Sequence, residues 1–131
     1  NQGVDHVIGS HPHVVQPMEV RQDPHRPSRH LIVYSLGNFI SNMSKENTDG
    51  GAIVKLELKK LWGITRMEAC SYSLIWTSRP ILSKKTNFEV YPASFITKPI
   101  QNEEFTPFKR FLNNTRVLYE KHNKGIKEYI F

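Results

Sequence analysis

Residues 52–60 read AIVKLELKK, and this stretch decides the class of fold. Val54, Leu56 and Leu58 alternate with Lys55, Glu57 and Lys59, so an extended strand would carry one apolar face and one charged face. A helix would scatter the same side chains around its circumference. Leu61-Trp62-Gly63 then supplies a turn, and residues 64–75 return with looser patterning through Ile64, Arg66, Glu68, Cys70 and Tyr72. By position, the two runs form a β-hairpin.

Working toward the N-terminus, residues 30–40 read HLIVYSLGNFI. Residues 31–34 are almost continuously apolar, the pattern of a strand covered on both faces, and Gly37-Asn38 supplies turn chemistry at its end. Residues 42–51 are polar and close on glycine, which marks a loop. Residues 21–30, RQDPHRPSRH, hold two prolines and three arginines and read as an exposed loop. Residues 5–8 form a short strand candidate ending at Gly9. Residues 13–20 can run extended, with Pro17 confining them to an edge or a bend.

Toward the C-terminus, residues 87–91 suggest one more short strand, and a helix follows. Thr106 is placed as its N-cap with Pro107 at the first helical position. Phe108, Phe111, Leu112, Thr115, Leu118 and Tyr119 recur at helical spacing, and Gly125 is the expected stop. The expected class is therefore α+β: mostly strands, with a C-terminal amphipathic helix.

A chain of 131 residues, 38% hydrophobic and 23% charged, is one domain's worth and rules out a disordered polymer. The uncharged run 31–43 contains Ser, Asn and Gly and is too short to span a bilayer. The chain opens at Asn1 with neither an initiator Met nor a basic leader, so its opening says nothing about compartment. A single cysteine, Cys70, excludes an internal disulfide. The net charge of +6 is uneven: residues 1–50 hold four Lys/Arg against five Asp/Glu, and residues 51–131 hold fourteen against seven. No basic run exceeds two residues, so a solvated lysine-rich face accounts for the excess. Binding of an anionic polymer is the alternative. Nucleic acid is not expected, because no recognition motif or exposed stacking series is present.

Five of the six histidines lie in the first thirty residues, and two flank a proline in the segment VIGSHPHVVQP, residues 7–17. Pro12 fixes its own φ and pushes His11 toward extended geometry, so His11 and His13 can converge at a strand end. Neutral imidazole ligates zinc, manganese or iron, but zinc takes three or four protein ligands. Asp5, His6, Glu19, Asp23 and His25 are near in sequence, and no spacing forces any of them into the same site. On residues alone, a metal pair and two loop histidines bonded to backbone and water both stay open.

The segments GVDHVIGSHPHVVQPMEV, HLIVYSLGNFI and GGAIVKLELKK, in this order, resemble the C-terminal part of the bacterial poly-γ-glutamate capsule-synthesis (CapA-type) family. That family sits within the calcineurin-like metallophosphoesterases. The resemblance covers roughly residues 3–100. It implies a half-domain over residues 1–100, the second sheet of a metallophosphoesterase-like β-sandwich, and a helical segment over residues 101–131. It also implies a centre of divalent metal ions, two of manganese, iron or zinc, with His11 and His13 among the ligands. Ser10, Gln16 and Asn38 would support it or bind ligand; Asn38 is equally a turn cap, and Gln16 equally a surface amide. None of the superfamily's earlier motifs, Asp-x-His, Gly-Asp-x-x-Asp and Gly-Asn-His, precedes the histidine pair here. The resemblance thus places the remaining ligands in a missing N-terminal half, and leaves this chain without substantial phosphoesterase activity alone. It further implies an envelope or extracytoplasmic location, and an exposed apolar surface through which the chain could self-associate.

Overall fold

The computed structural model describes residues 3–25, 28–97, 100 and 102–130; residues 26 and 27 of the expected 21–30 loop lie outside them. Its centre is the hairpin read from residues 52–60. Strands β4 (Gly50–Leu61) and β5 (Ile64–Ser78) pair antiparallel along their whole length, from Gly50 against Trp76 to Leu61 against Ile64. The other edge of β5 carries β6 (Glu89–Pro92), antiparallel, and the two-residue β7 (Lys127–Glu128), parallel. Between β5 and β6 lies a single-turn helix, α1 (Pro80–Ser83).

A second, smaller sheet holds β1 (Val7–Ile8), β3 (Arg29–Leu36) and β2 (Val15–Gln22), in that order, with β1 parallel and β2 antiparallel to β3. Pro17 lies on β2, an edge strand, where its missing N–H breaks no interior ladder. The chain is therefore mostly strand in two mixed sheets with one main helix, an α+β arrangement, rather than a single sheet and a helix.

Helix α2 (Asn102–His122) seals the two sheets together. Phe108, Phe111, Leu112 and Tyr119 are buried in one core with Met18, Leu31 and Val33 of the small sheet and Leu74 and Trp76 of the large one. These helical positions match the spacing in the sequence; the helix start does not. It begins at Asn102, so Thr106 is not its cap and Pro107 lies inside it. Glu103 and Glu104 occupy the first turn, where carboxylates suit the helix dipole. Lys84 holds Glu103 at 2.8 Å, and Glu104 is buried. Tertiary packing of this extra turn outweighs the local start signal at Pro107. Helix α2 ends at His122, three residues before Gly125.

The tail after α2 ties the sheets together. Lys124 exchanges backbone hydrogen bonds with Met18 and Val20 on the edge of β2, and β7 then pairs with β5. The Arg116 guanidinium clamps the Glu128 carboxylate with two bonds of 2.8 and 2.9 Å.

Residues 31–34 depart from expectation. Leu31 and Val33 face the core, but Ile32 is only partly covered and Tyr34 is 49% exposed. Val7, paired with Ile32, is 50% exposed, and Phe39 and Ile40 beyond the strand are exposed as well. Among the described residues, only one face of β3 has a layer packed against it. No helix among the described residues is long and apolar enough to cross a membrane.

Candidate functional site

The histidine segment lies where β1 ends. Gly9 brings it against β3: its N–H donates to Val33 and its carbonyl accepts from Leu36, at 2.8 and 2.9 Å. The approach is so close that a Cβ on Gly9 would lie 2.4 Å from the Tyr34 carbonyl oxygen. Residues 10–13 then form a turn, closed by the His13 N–H on the Ser10 carbonyl at 3.3 Å. The extended path expected through His11 and Pro12 is thus replaced by a turn, and His13, which closes it, takes a left-handed backbone with φ of 62°. Histidine enters that region more readily than most residues.

Asn38 holds that conformation. Its amide nitrogen donates to the backbone carbonyls of His13 and Thr48, at 3.1 and 2.8 Å. Two carbonyl acceptors on one side identify the NH2 group and leave Oδ1 facing His13 Nδ1 at 2.9 Å. An amide oxygen only accepts, so Nδ1 carries a proton, and in the neutral ring the lone pair is on Nε2. Asn38 is 8% exposed. It reaches this position through Gly37, whose φ of 74° turns the chain out of β3 and whose carbonyl accepts from Ser10 Oγ at 3.1 Å.

Ser10, His13 and Asn38 are therefore joined in one network. His11 is exposed in the same turn. Gln16 is on β2, paired with Ser35, and no hydrogen bond joins it to either histidine among the described residues.

The other polar groups near in sequence lie elsewhere. Asp5, Asp23, His25 and His30 line a hollow of about 880 Å3 around the opposite ends of β1 and β3. There His30 Nδ1 meets the Asp5 carbonyl at 2.9 Å, and His30 Nε2 is 3.7 Å from Asp23. His6 Nδ1 accepts from the Leu31 N–H. Glu19 is bonded by Arg21 and by Tyr34, which hold its carboxyl below the usual range, the Arg21 hydrogen bond contributing most. Among the described residues, no three His, Cys, Asp or Glu side chains come together as a metal set. The histidine turn thus holds His13, whose Nδ1 faces Asn38, and the exposed His11, fewer side chains than zinc takes as ligands. Asn38 was legible as a turn residue or as a support for the site; its contact with His13, 25 positions away, had no sequence signal.

Comparison with known proteins bears on the same region. Residues 1–43 match the family described as bacterial capsule synthesis protein PGA_cap. The PGA biosynthesis protein CapA of Bacillus subtilis (strain 168) is 40% identical over 58 residues, 44% of this chain and 14% of that protein. The chain matches only that small share of the curated relative's length. No solved structure matches it. The network of Ser10, His13 and Asn38 falls inside the family match, and over these residues the chain is similar to part of a CapA-type capsule-synthesis protein.

Proposed function

We propose that this chain supplies the late histidine pair of a metallophosphoesterase-like two-metal centre in its parent protein. The observation that carries the reading is the Asn38–His13 contact of 2.9 Å, which leaves Nε2 as the free donor. Ligating histidines characteristically give their other N–H to an oxygen in this way. His11 would be the second imidazole. The carboxylates that balance the charge of two cations would come from elsewhere in the parent polypeptide, as would any substrate contacts. When bound, such cations activate a water and stabilise charge on phosphorus. The residues of this chain orient donors: Asn38 sets the ring of His13, Ser10 ties the turn to Gly37, and Gly9 seats it on β3.

Metal content of the full-length protein tests this. His13→Ala is expected to lower bound manganese, iron or zinc, and unchanged stoichiometry and affinity in both His11→Ala and His13→Ala would refute the assignment. The 131-residue chain alone is expected to show no substantial hydrolysis of a generic phosphodiester. Hydrolysis by it, lost in His11→Ala, would overturn the partial-site reading.

A second, non-catalytic reading is the handling of an anionic polymer such as poly-γ-glutamate, favoured by the fourteen Lys/Arg against seven Asp/Glu in residues 51–131. Retention on immobilised polyglutamate that is salt-sensitive and independent of metal would support it. Absence of retention at low ionic strength would remove it.

A further inference from the structure

The β4–β5 hairpin continues well past the core. From Leu58 to Arg66 every residue is exposed, and the two central turn residues, Trp62 and Gly63, have φ of 47° and 78°. Positive φ at both positions is the geometry of a two-residue hairpin turn that favours Asn-Gly. Tryptophan is a poor occupant: its bulk opposes the left-handed backbone, and at 98% exposure its ring is almost wholly in solvent. Leu61 and Ile64, the pair directly behind it, are 53% and 56% exposed.

The charges are equally unexplained by folding. Lys59 stands opposite Arg66 in the ladder, and like charges in that register repel. Among the described residues, Lys59, Lys60 and Arg66 form no ion pair. Glu57, the carboxylate preceding the tip, is held by Lys55 at 2.6 Å. Glu68 lies behind Arg66, at the base of a hollow of about 210 Å3 lined also by Lys59, Leu61, Trp62 and Ile64.

We infer that this hairpin tip docks on an anionic lipid surface, Trp62, Leu61 and Ile64 entering the acyl boundary and Lys59, Lys60 and Arg66 meeting the phosphates. The order of the layers selects a bilayer over a protein groove. Apolar residues fill the turn and the first cross-strand pair, and the cations follow in the second and third pairs. At a rise of about 3.3 Å per residue, the Lys59–Arg66 pair lies about 10 Å behind the tip. Interfacial elements bury apolar side chains to about 5–10 Å with basic residues at the headgroups. Tryptophan is the residue most suited to that boundary. The inference is independent of the histidine turn.

Flotation of the full chain with vesicles of equal parts phosphatidylglycerol and phosphatidylcholine, and with pure phosphatidylcholine vesicles, tests it. Binding to the anionic vesicles is expected, with a blue shift in emission from Trp62, since Trp76 is already buried. Trp62→Ser should abolish the shift and most of the binding, with an unchanged melting temperature. Lys59→Gln with Arg66→Gln should weaken anionic binding by about tenfold or more. No wild-type binding to anionic vesicles at low salt, or binding unaffected by Trp62→Ser, would overturn the assignment. Self-association lost in Trp62→Ser without any vesicle binding would make the tip a protein contact and overturn it equally.

Discussion

Of the four non-glycine residues with a left-handed backbone among the described residues, His13 and Trp62 carry rings, and the two hold that backbone in opposite ways. His13 is fixed from outside its own turn: a buried amide 25 residues away bonds both its ring and its carbonyl. Trp62 is fixed by hairpin register alone, with its side chain in solvent. Unfavourable backbone persists where surrounding structure overrules it, and such positions cluster at functional sites. In the first region the fold supplies the constraint and aims a ring. In the second the hairpin presents a ring and supplies no partner, which points to a partner outside the chain.

The largest expected effect separates the halves that carry these residues. Tyr72 is buried in the large sheet's core, and burial pushes its phenol from 10.0 to about 12. Burial raises Tyr91 and Tyr119 as well. A phenol kept neutral by the fold contributes stability in full below pH 10 and loses it as pH rises through about 12. Circular dichroism should therefore show cooperative unfolding across that window, and Tyr72→Phe should move it upward. A chain as stable at pH 12 as at pH 8 would contradict the burial.

Next in size is Asn38→Ala. It leaves the Thr48 and His13 carbonyls and His13 Nδ1 without their partner and should cost about 1–3 kcal/mol in urea unfolding. In the full-length protein it should also weaken metal binding by about 10–100-fold. A double-mutant cycle between His13 and Asn38 should return a coupling of about 0.5–3 kcal/mol. A coupling near zero would erase the distinction between the two turns.

The smallest effect is at the other turn. Trp62→Asn installs a residue suited to positive φ and should raise stability by up to about 1 kcal/mol in the same unfolding experiment. A marked loss would show that Trp62 has a structural role after all.

The two ends of the chain also differ in how far they could be read in advance. The β4–β5 hairpin and the buried face of α2 followed from periodicity, since Val54 and Leu56, like Phe108, Phe111 and Leu112, repeat at the spacing of their own element. The start of α2 was misread because Thr106-Pro107 is a valid local signal overruled by Glu103 and Glu104 one turn earlier. Tyr34 was misjudged because an apolar run reports that a strand is coverable, not that this chain covers it. Asn38 was identified as a residue of interest, but its role depended on where β3 delivered it.

Local chemistry, carried by residues adjacent in the chain, determined the strands, the hairpin turn, the helical face and the presence of two imidazoles around Pro12. Those properties depend on backbone preference and side-chain alternation over a few residues, so they can be read without a fold. Only tertiary structure decided that His13 turns left-handed, that Asn38 rather than Gln16 reaches it, and that Asp5 and Asp23 lie at the far end of the strands. Each of those is a contact between segments about 20 or more positions apart, set by sheet register and packing, and sequence proximity carries no information about either.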